Sequence, residues 1–215
     1  MVLIKDNYSR LQAQIRFGRD WYYILKKREE KKTQAPILIA RPSSFCIKDK
    51  VQVRIGWLAS RDMPEVMRVE RASFENAWTK DDFLRCLRQR NAIGFVAESN
   101  NNIVGFLIYE LHRTRLHILN FAVHPAARRL GVGQQLIELL IHRLHGHYRE
   151  KITLAVRERN LAAQKFFRAM GFKAIKLLRH YYEDSGEDAY QMEYRAGNDP
   201  DWYQRLPFQV RMDQE

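Results

Sequence analysis

No stretch of this 215-residue chain holds the roughly 18 consecutive apolar residues that a membrane-spanning helix needs. Met1-Val2-Leu3-Ile4 is too short for the apolar segment of a secretory leader, and Lys5 and Asp6 break it at once. The expectation is a cytoplasmic protein with no membrane association. Cysteine is scarce: Cys46 and Cys86 stand far apart, without the spacing of metal-ligand pairs. No metal site is expected, and both thiols read as packing residues in a reducing compartment. Two phosphate-binding signatures are also absent. No Gly-Lys-Ser/Thr follows a glycine loop, which excludes a P-loop, and Gly-x-Gly-x-x-Gly is never completed, which excludes the Rossmann fingerprint.

What the chain does have is enough apolar residues for a core, at 46% of the total, and a net charge of +12 that is unevenly spread. Residues 1–50 carry +7 of it and the rest +5. The first 50 residues therefore read as a basic extension, able to reach a ribosome, RNA or another acidic surface, or simply solvated. Within it, Leu3, Leu11 and Ile15 have weak helical spacing. Trp21, Tyr22 and Tyr23 precede a charge run at 26–32, a mixture that suits either base stacking or docking aromatics. Pro36, Pro42, Ser43 and Ser44 read as a linker around a short strand at 37–39.

Regular patterning begins at Val51, Val53 and Ile55, which alternate as in a strand. Ser60 or Asp62 is placed to cap a helix with Pro64 near its start, running through Val66, Val69 and Ala72 to about Phe74. Thr79-Lys80-Asp81-Asp82 reads as a capping box with Asp in place of Glu, opening a helix through Phe83, Leu84 and Leu87. Residues 93–98 and 103–111 form a hairpin around a turn at 99–102, and 116–123 is a third strand. A strand at 152–156 and a helix at 160–170 follow, the helix ended by Gly171 in the left-handed conformation. The last strands, 172–178 and 189–194, flank an acidic loop at 183–188. The sum is an α/β chain with a mixed sheet of about seven strands and helices on both faces, spanning 51–195. Residues 196–215 read as an irregular tail.

One junction stands apart. At 119–134 an apolar run ends at His124 and Pro125, a loop with Arg128, Arg129, Gly131 and Gly133 follows, and helical spacing begins at Leu136, Ile137, Leu140 and Leu144. Glycines permit positive φ and close backbone approach. The unpaired N–H groups and dipole of a helix start then favour an anion such as phosphate or pyrophosphate. The plain alternative is a basic connection between a strand and a helix.

Val123-His124-Pro125 with Arg128-Arg129-Leu130-Gly131-Val132-Gly133 resembles motif A of the GNAT superfamily of N-acetyltransferases. Val156-Arg157-Glu158-Arg159-Asn160, with Ala163, Phe166, Phe167, Met170, Gly171 and Phe172, resembles motif B. Adding Phe74, Trp78 and Arg179-His180-Tyr181-Tyr182, the chain is most similar to the RimI-type group, which acetylates protein N-terminal amines, notably on a ribosomal protein. The resemblance covers 51–194. It implies the GNAT fold with splayed central strands, and acetyl-CoA as cofactor. Backbone groups of Phe121, Ala122 and Val123 are expected to hold the acetyl carbonyl and pantetheine. The pyrophosphate falls to Arg128, Arg129, Leu130, Gly131, Val132, Gly133 and Gln134, with Asn160 and Phe167 on the pantetheine side. Phe74, Trp78, Tyr181 and Tyr182 are expected to line the peptide groove.

The chain departs from the group at its proton-transfer positions. The Glu base falls on Ala155 and the Tyr acid, seven residues after Asn160, on Phe167. General acid or base assistance is typically worth 10²–10⁴-fold. An α-amine, with pKa about 7.7–8.0 against about 10.4 for lysine, tolerates the loss better, because roughly a tenth to a fifth is neutral near pH 7. His117, on the strand entering motif A, is the candidate replacement base. His112 and His124 are weaker candidates for that base, Tyr181 or Tyr182 is the candidate acid, and Glu75 could instead attract the substrate ammonium. The expected reaction is direct attack of a protein N-terminal amine on acetyl-CoA in a ternary complex. The alternative is a catalytically impaired acyl-CoA-binding module docking to ribosome or RNA through its basic arm.

Overall fold

The computed structural model describes residues 3–5, 51–146 and 149–197. The aromatic cluster, charge run and linker expected before residue 51, Cys46, and all but the start of the C-terminal tail lie outside that set. Two strands organise the fold, β5 (Arg115–Val123) and β6 (Lys151–Arg157). They are parallel and share three rungs only: Arg115 with Lys151, Leu116 with Ile152, and His117 with Thr153. Beyond His117 each is held by its outer neighbour instead.

On one side lie β4 (Asn102–Leu111), β3 (Ala92–Ser99) and β2 (Arg54–Trp57); on the other lie β8 (Glu187–Arg195) and β7 (Lys173–Tyr182). The order is β2-β3-β4-β5-β6-β8-β7. β4 follows β5 to Val123, with a bulge between Ile108 and Tyr109, while β8 follows β6 to Arg157. A bulge bends and twists its strand, so two strands anchored to different neighbours part. An eighth strand, β1 (Leu3–Lys5), lies outside this path and pairs with β5.

Helices cover both faces. α1 (Met63–Arg71) and α2 (Lys80–Leu87) pack Val66, Val69, Phe83 and Cys86 onto Phe106, Ile108, Leu119 and Ala122. α3 (Val132–Gly146) and α4 (Leu161–Ala169) cover the other face, with Leu136, Leu140, Ala163 and Phe167 against Leu107, Leu116, Ile118 and Phe121. Each such fully buried side chain is worth about 1.5–3 kcal/mol. Strand alternation between the two cores leaves His117 on the α1–α2 face, since its neighbours Leu116 and Ile118 face α3.

Local signals are met where the chemistry is local. Thr79 Oγ1 accepts from Asp82 N at 3.2 Å and Asp82 Oδ2 accepts from Thr79 N at 2.9 Å, the reciprocal box expected at the start of α2. Asn100 and Asn101, at φ 49° and 60°, make the two-residue hairpin turn, and Gly171, at φ 87°, follows α4. Cys86 is buried, which pushes its thiol up to about 12, with Glu110 adding to the shift.

Several details differ from expectation, among them the start of β2 at Arg54 rather than Val51. Asp62 does not cap α1, because its carboxylate accepts from Ala59 N at 2.8 Å inside a preceding 3₁₀ turn, Ser60–Asp62. α1 stops at Arg71, where the N–H groups of Ser73 and Phe74 turn back to Glu70 O. β7 runs on to Tyr182 through a register break between Leu178 and Tyr182, with His180 at φ 48°.

Candidate active site

After β5 the chain turns through Pro125–Ala127, and His124 Nδ1 accepts from Ala126 N at 3.3 Å. Burial, then Arg68 and Arg128, lower the His124 pKa, which keeps the ring neutral and fit to accept. Arg128 turns inward: its Nε donates to Val123 O at 2.9 Å and its guanidinium reaches Ser73 Oγ at 3.4 Å. It braces the strand end, while Arg129 is exposed on left-handed backbone at φ 67°.

Gly131, at φ 81°, makes the turn that sequence spacing assigned to both glycines. Gly133 serves packing instead. A Cβ there would stand 3.3 Å from the Phe121 ring and 3.5 Å from that of Phe166, so glycine lets α3 settle on the sheet. The first helical bond is Gln135 N to Gly131 O at 3.1 Å, so the N–H groups of Val132, Gly133 and Gln134 precede it, and the first turn carries no acid. A donor set of this kind, with no acid beside it, suits an anion. Gln135, which the sequence reading missed, is buried and fixes the loop, donating to Val51 O at 2.8 Å and Gly131 O at 3.3 Å. Gln134, which it chose, bonds Glu138 at 2.6 Å.

At the other end of β5, six residues and about 20 Å away, is the apex where β5 and β6 part. His117 occupies the last shared rung, its Nδ1 2.8 Å from Thr153 Oγ1. Opposite it on β4 is Glu110, fully buried, with Oε2 3.0 Å from His112 Nε2. Nearby, Glu70 of α1 is also fully buried and accepts from Trp78 N at 2.8 Å and from Asn120 Nδ2 at 3.2 Å. Glu70, Glu110, Asn120 and Thr153 are buried polar side chains that spacing did not reveal. The available signal was a polar residue interrupting each apolar run. A donor-rich loop and a polar apex on one strand suit an elongated ligand with a charged end.

Between loop and apex, the β5 edge facing β6 does not stand open as the sequence reading expected. β1 lies along it antiparallel, with Leu3 at Ala122, Ile4 at Phe121 and Lys5 at Asn120.

The wall formed by β7 carries the tyrosines. Tyr182 is buried, donates to Ala155 O at 3.4 Å and meets Tyr181 edge-on at 5.2 Å; Tyr181 is partly exposed. The Arg157 guanidinium lies 3.8 Å from the centre of the Tyr182 ring and pairs with Asp184 at 2.6 Å and Glu187 at 3.1 Å. Burial opposes that charge, but the two acids outweigh it and raise the Arg157 pKa. Asn76 Nδ2 donates to Asp184 at 2.8 Å, joining the α1–α2 loop, which carries Phe74, Glu75 and Trp78, to the β7–β8 loop. Trp78 is buried edge-on against Phe83, so it supports this region from the core. Phe167 is fully buried among Phe121, Phe166 and Phe172, and the Asn160 side-chain oxygen caps α4 by accepting from Ala163 N at 3.0 Å. Among the described residues, no three His, Cys, Asp or Glu side chains gather as metal ligands, and no helix is long and apolar enough to cross a membrane.

Comparison with known proteins agrees with this geometry. The chain is 30% identical over 144 residues to the N-alpha-acetyltransferase of Sulfurisphaera tokodaii, covering 61% of this chain and 86% of that one. Its fold superposes on the crystal structure of the ribosomal-protein-S18-alanine N-acetyltransferase of Escherichia coli with a TM-score of 0.62, at 27% identity, covering 69% of this chain and 98% of that one. Ard1 from Thermoplasma volcanium superposes with a TM-score of 0.63, at 28% identity over 68% and 99% of the two chains. Residues 54–172, from the first edge strand through the helix after the splay, match the family described as Acetyltransferase (GNAT) family, and the chain therefore belongs to the GNAT acetyltransferases.

Proposed function

We propose that this acetyltransferase transfers the acetyl group of acetyl-CoA to the N-terminal α-amine of a protein. The observation that carries the reading is the similarity, over most of its length, to a relative named as an N-alpha-acetyltransferase. The residues present fit the cofactor: three leading N–H groups, a turn at positive φ and an exposed Arg129 suit a pyrophosphate, and the β5 edge at Phe121, Ala122 and Val123, where clear of β1, suits an amide-bearing arm. Leu130 and Val132 shape the loop, Asn160 and Phe167 back the arm, and Gln134 stands in the first turn.

When bound, acetyl-CoA supplies an acetyl thioester activated for attack. His117, with Nδ1 on Thr153, takes the proton of the incoming amine through Nε2. Tyr181 stands at the groove wall to bond the peptide or donate a proton, and Phe74, Trp78, Tyr181 and Tyr182 form or support the groove. Ala155 and Phe167 bear no titratable group. The low pKa of an α-amine, about 7.7–8.0, suits this substrate to so sparse a proton-transfer set far better than lysine, at about 10.4. A ribosomal protein is the finer substrate assignment, supported by similarity to the Escherichia coli enzyme and by the +7 charge of residues 1–50, suited to ribosome or RNA contact in the cytoplasm.

The test is acetyl transfer to a library of N-terminal peptides by wild type, His117→Ala and Tyr181→Phe. The expected loss for His117→Ala is about 10²-fold in kcat. CoA binding with no transfer to any peptide across pH 7–9 overturns the enzymatic reading; unchanged rates in both variants overturn the two assignments.

A further inference from the structure

We infer that the chain's own N-terminal strand, Leu3–Lys5, is an intramolecular competitor of acyl-CoA for the inner edge of β5. Leu3 faces Ala122, Ile4 faces Phe121 and Lys5 faces Asn120. β4 already takes the other edge of the same residues, pairing with Asn120, Phe121 and Ala122 from Ile108, Leu107 and Phe106. Each backbone N–H is a single donor, so the groups that bond β1 are lost to a ligand. Asn120, Phe121 and Ala122 are fully buried, so this stretch offers no accessible surface for a cofactor arm while the strand is docked. The inference rests on the reading that this edge receives the acyl-CoA arm.

Strand direction separates competition from self-modification. β5 runs from the apex at His117 toward the anion loop after Val123, and β1 runs against it. The Leu3 end of β1 therefore lies toward the anion loop and away from His117. Lys5 is the residue nearest the apex. A segment posed as an acceptor would run the other way, with its amine at the apex. This segment lies where a cofactor arm lies, so undocking it must precede or accompany cofactor binding. The apparent dissociation constant is the intrinsic one divided by the undocked fraction, so docking two-thirds of the time weakens CoA about threefold.

The experiment compares the full chain with a variant lacking residues 2–6, a deletion neutral in charge because Lys5 and Asp6 leave together, and with Ile4→Pro, which disfavours the strand without shortening the chain. CoA affinity is read by calorimetry and the KM for acetyl-CoA at saturating peptide. The expected result is about threefold or more tighter CoA in both variants with kcat unchanged. A peptide of residues 1–8 added to the deletion variant should raise the acetyl-CoA KM competitively. Equal or weaker CoA binding in the variants overturns the competitor role alone. Absence of CoA binding in every form overturns it together with the acyl-CoA reading of the edge.

Discussion

The Tyr182 hydroxyl donates to the carbonyl of Ala155 at 3.4 Å, across 27 residues of sequence. Ala155, Tyr182 and Ala189 form a small apolar cluster of their own, with Leu178 and Tyr181 against it and Arg157 over the Tyr182 ring. The position that carries the Glu base in the RimI-type pattern is here a floor on which an aromatic wall rests. The proton transfer proposed above is therefore assigned to the β5 side of the splay, where His117 stands.

Tyr182→Phe keeps the ring packing and removes one hydrogen bond, so it should cost about 0.5–1.5 kcal/mol. Tyr182→Ala removes the ring and should cost about 3–5 kcal/mol, the loss typical of large aromatics. Urea unfolding of both variants checks the pair; equal costs would show that the ring contributes nothing beyond its hydroxyl.

Arg128 and Arg129 are adjacent in sequence and divided in role. Arg128→Ala removes the bonds to Val123 O and Ser73 Oγ and should lower stability by about 1 kcal/mol as well as weaken CoA. Arg129→Ala should weaken CoA while leaving the unfolding midpoint within about 0.5 kcal/mol of wild type. Thermal melts beside CoA titrations decide it, and a stability loss confined to Arg129→Ala would reverse the assignment.

Asp188 holds the β7 bulge, accepting from His180 N at 2.8 Å and from Arg179 at 2.6 Å. The His180 N–H first, and then Arg179, lower its pKa against the opposing effect of burial. A depressed folded pKa means that the carboxylate's stabilisation is complete above the ordinary value of about 3.9 and is lost as pH falls through the lower folded value. Wild type should therefore be more stable than Asp188→Asn at pH 6, and the gap should close below about pH 4. A gap that stays constant from pH 6 to pH 2 would contradict this.

Features that depend on neighbours in sequence were legible in it. The Thr79–Asp82 box, the Asn100–Asn101 turn, the Gly171 helix end and the turn at Gly131 before α3 each follow from chemistry acting over two to five residues. The apolar runs at 103–111 and 116–123 likewise read as strands, and the ordered motifs implied the family.

Tertiary structure decided what depends on register. That His117 is the last rung before the splay follows from where β4 and β8 hold their partners, which no local spacing encodes. The separate duties of Gly131 and Gly133 depend on how α3 meets Phe121 and Phe166. Glu70 and Glu110 became visible as buried acids only when α1 and β4 were brought to β5. Most of all, Leu3, read with Leu11 and Ile15 as weakly helical, lies in a strand, Leu3–Lys5, because β5 leaves an edge there to fill. Local propensity selects the elements; long-range pairing, where every backbone donor must find an acceptor, selects which edges are left for a ligand and which the chain itself takes.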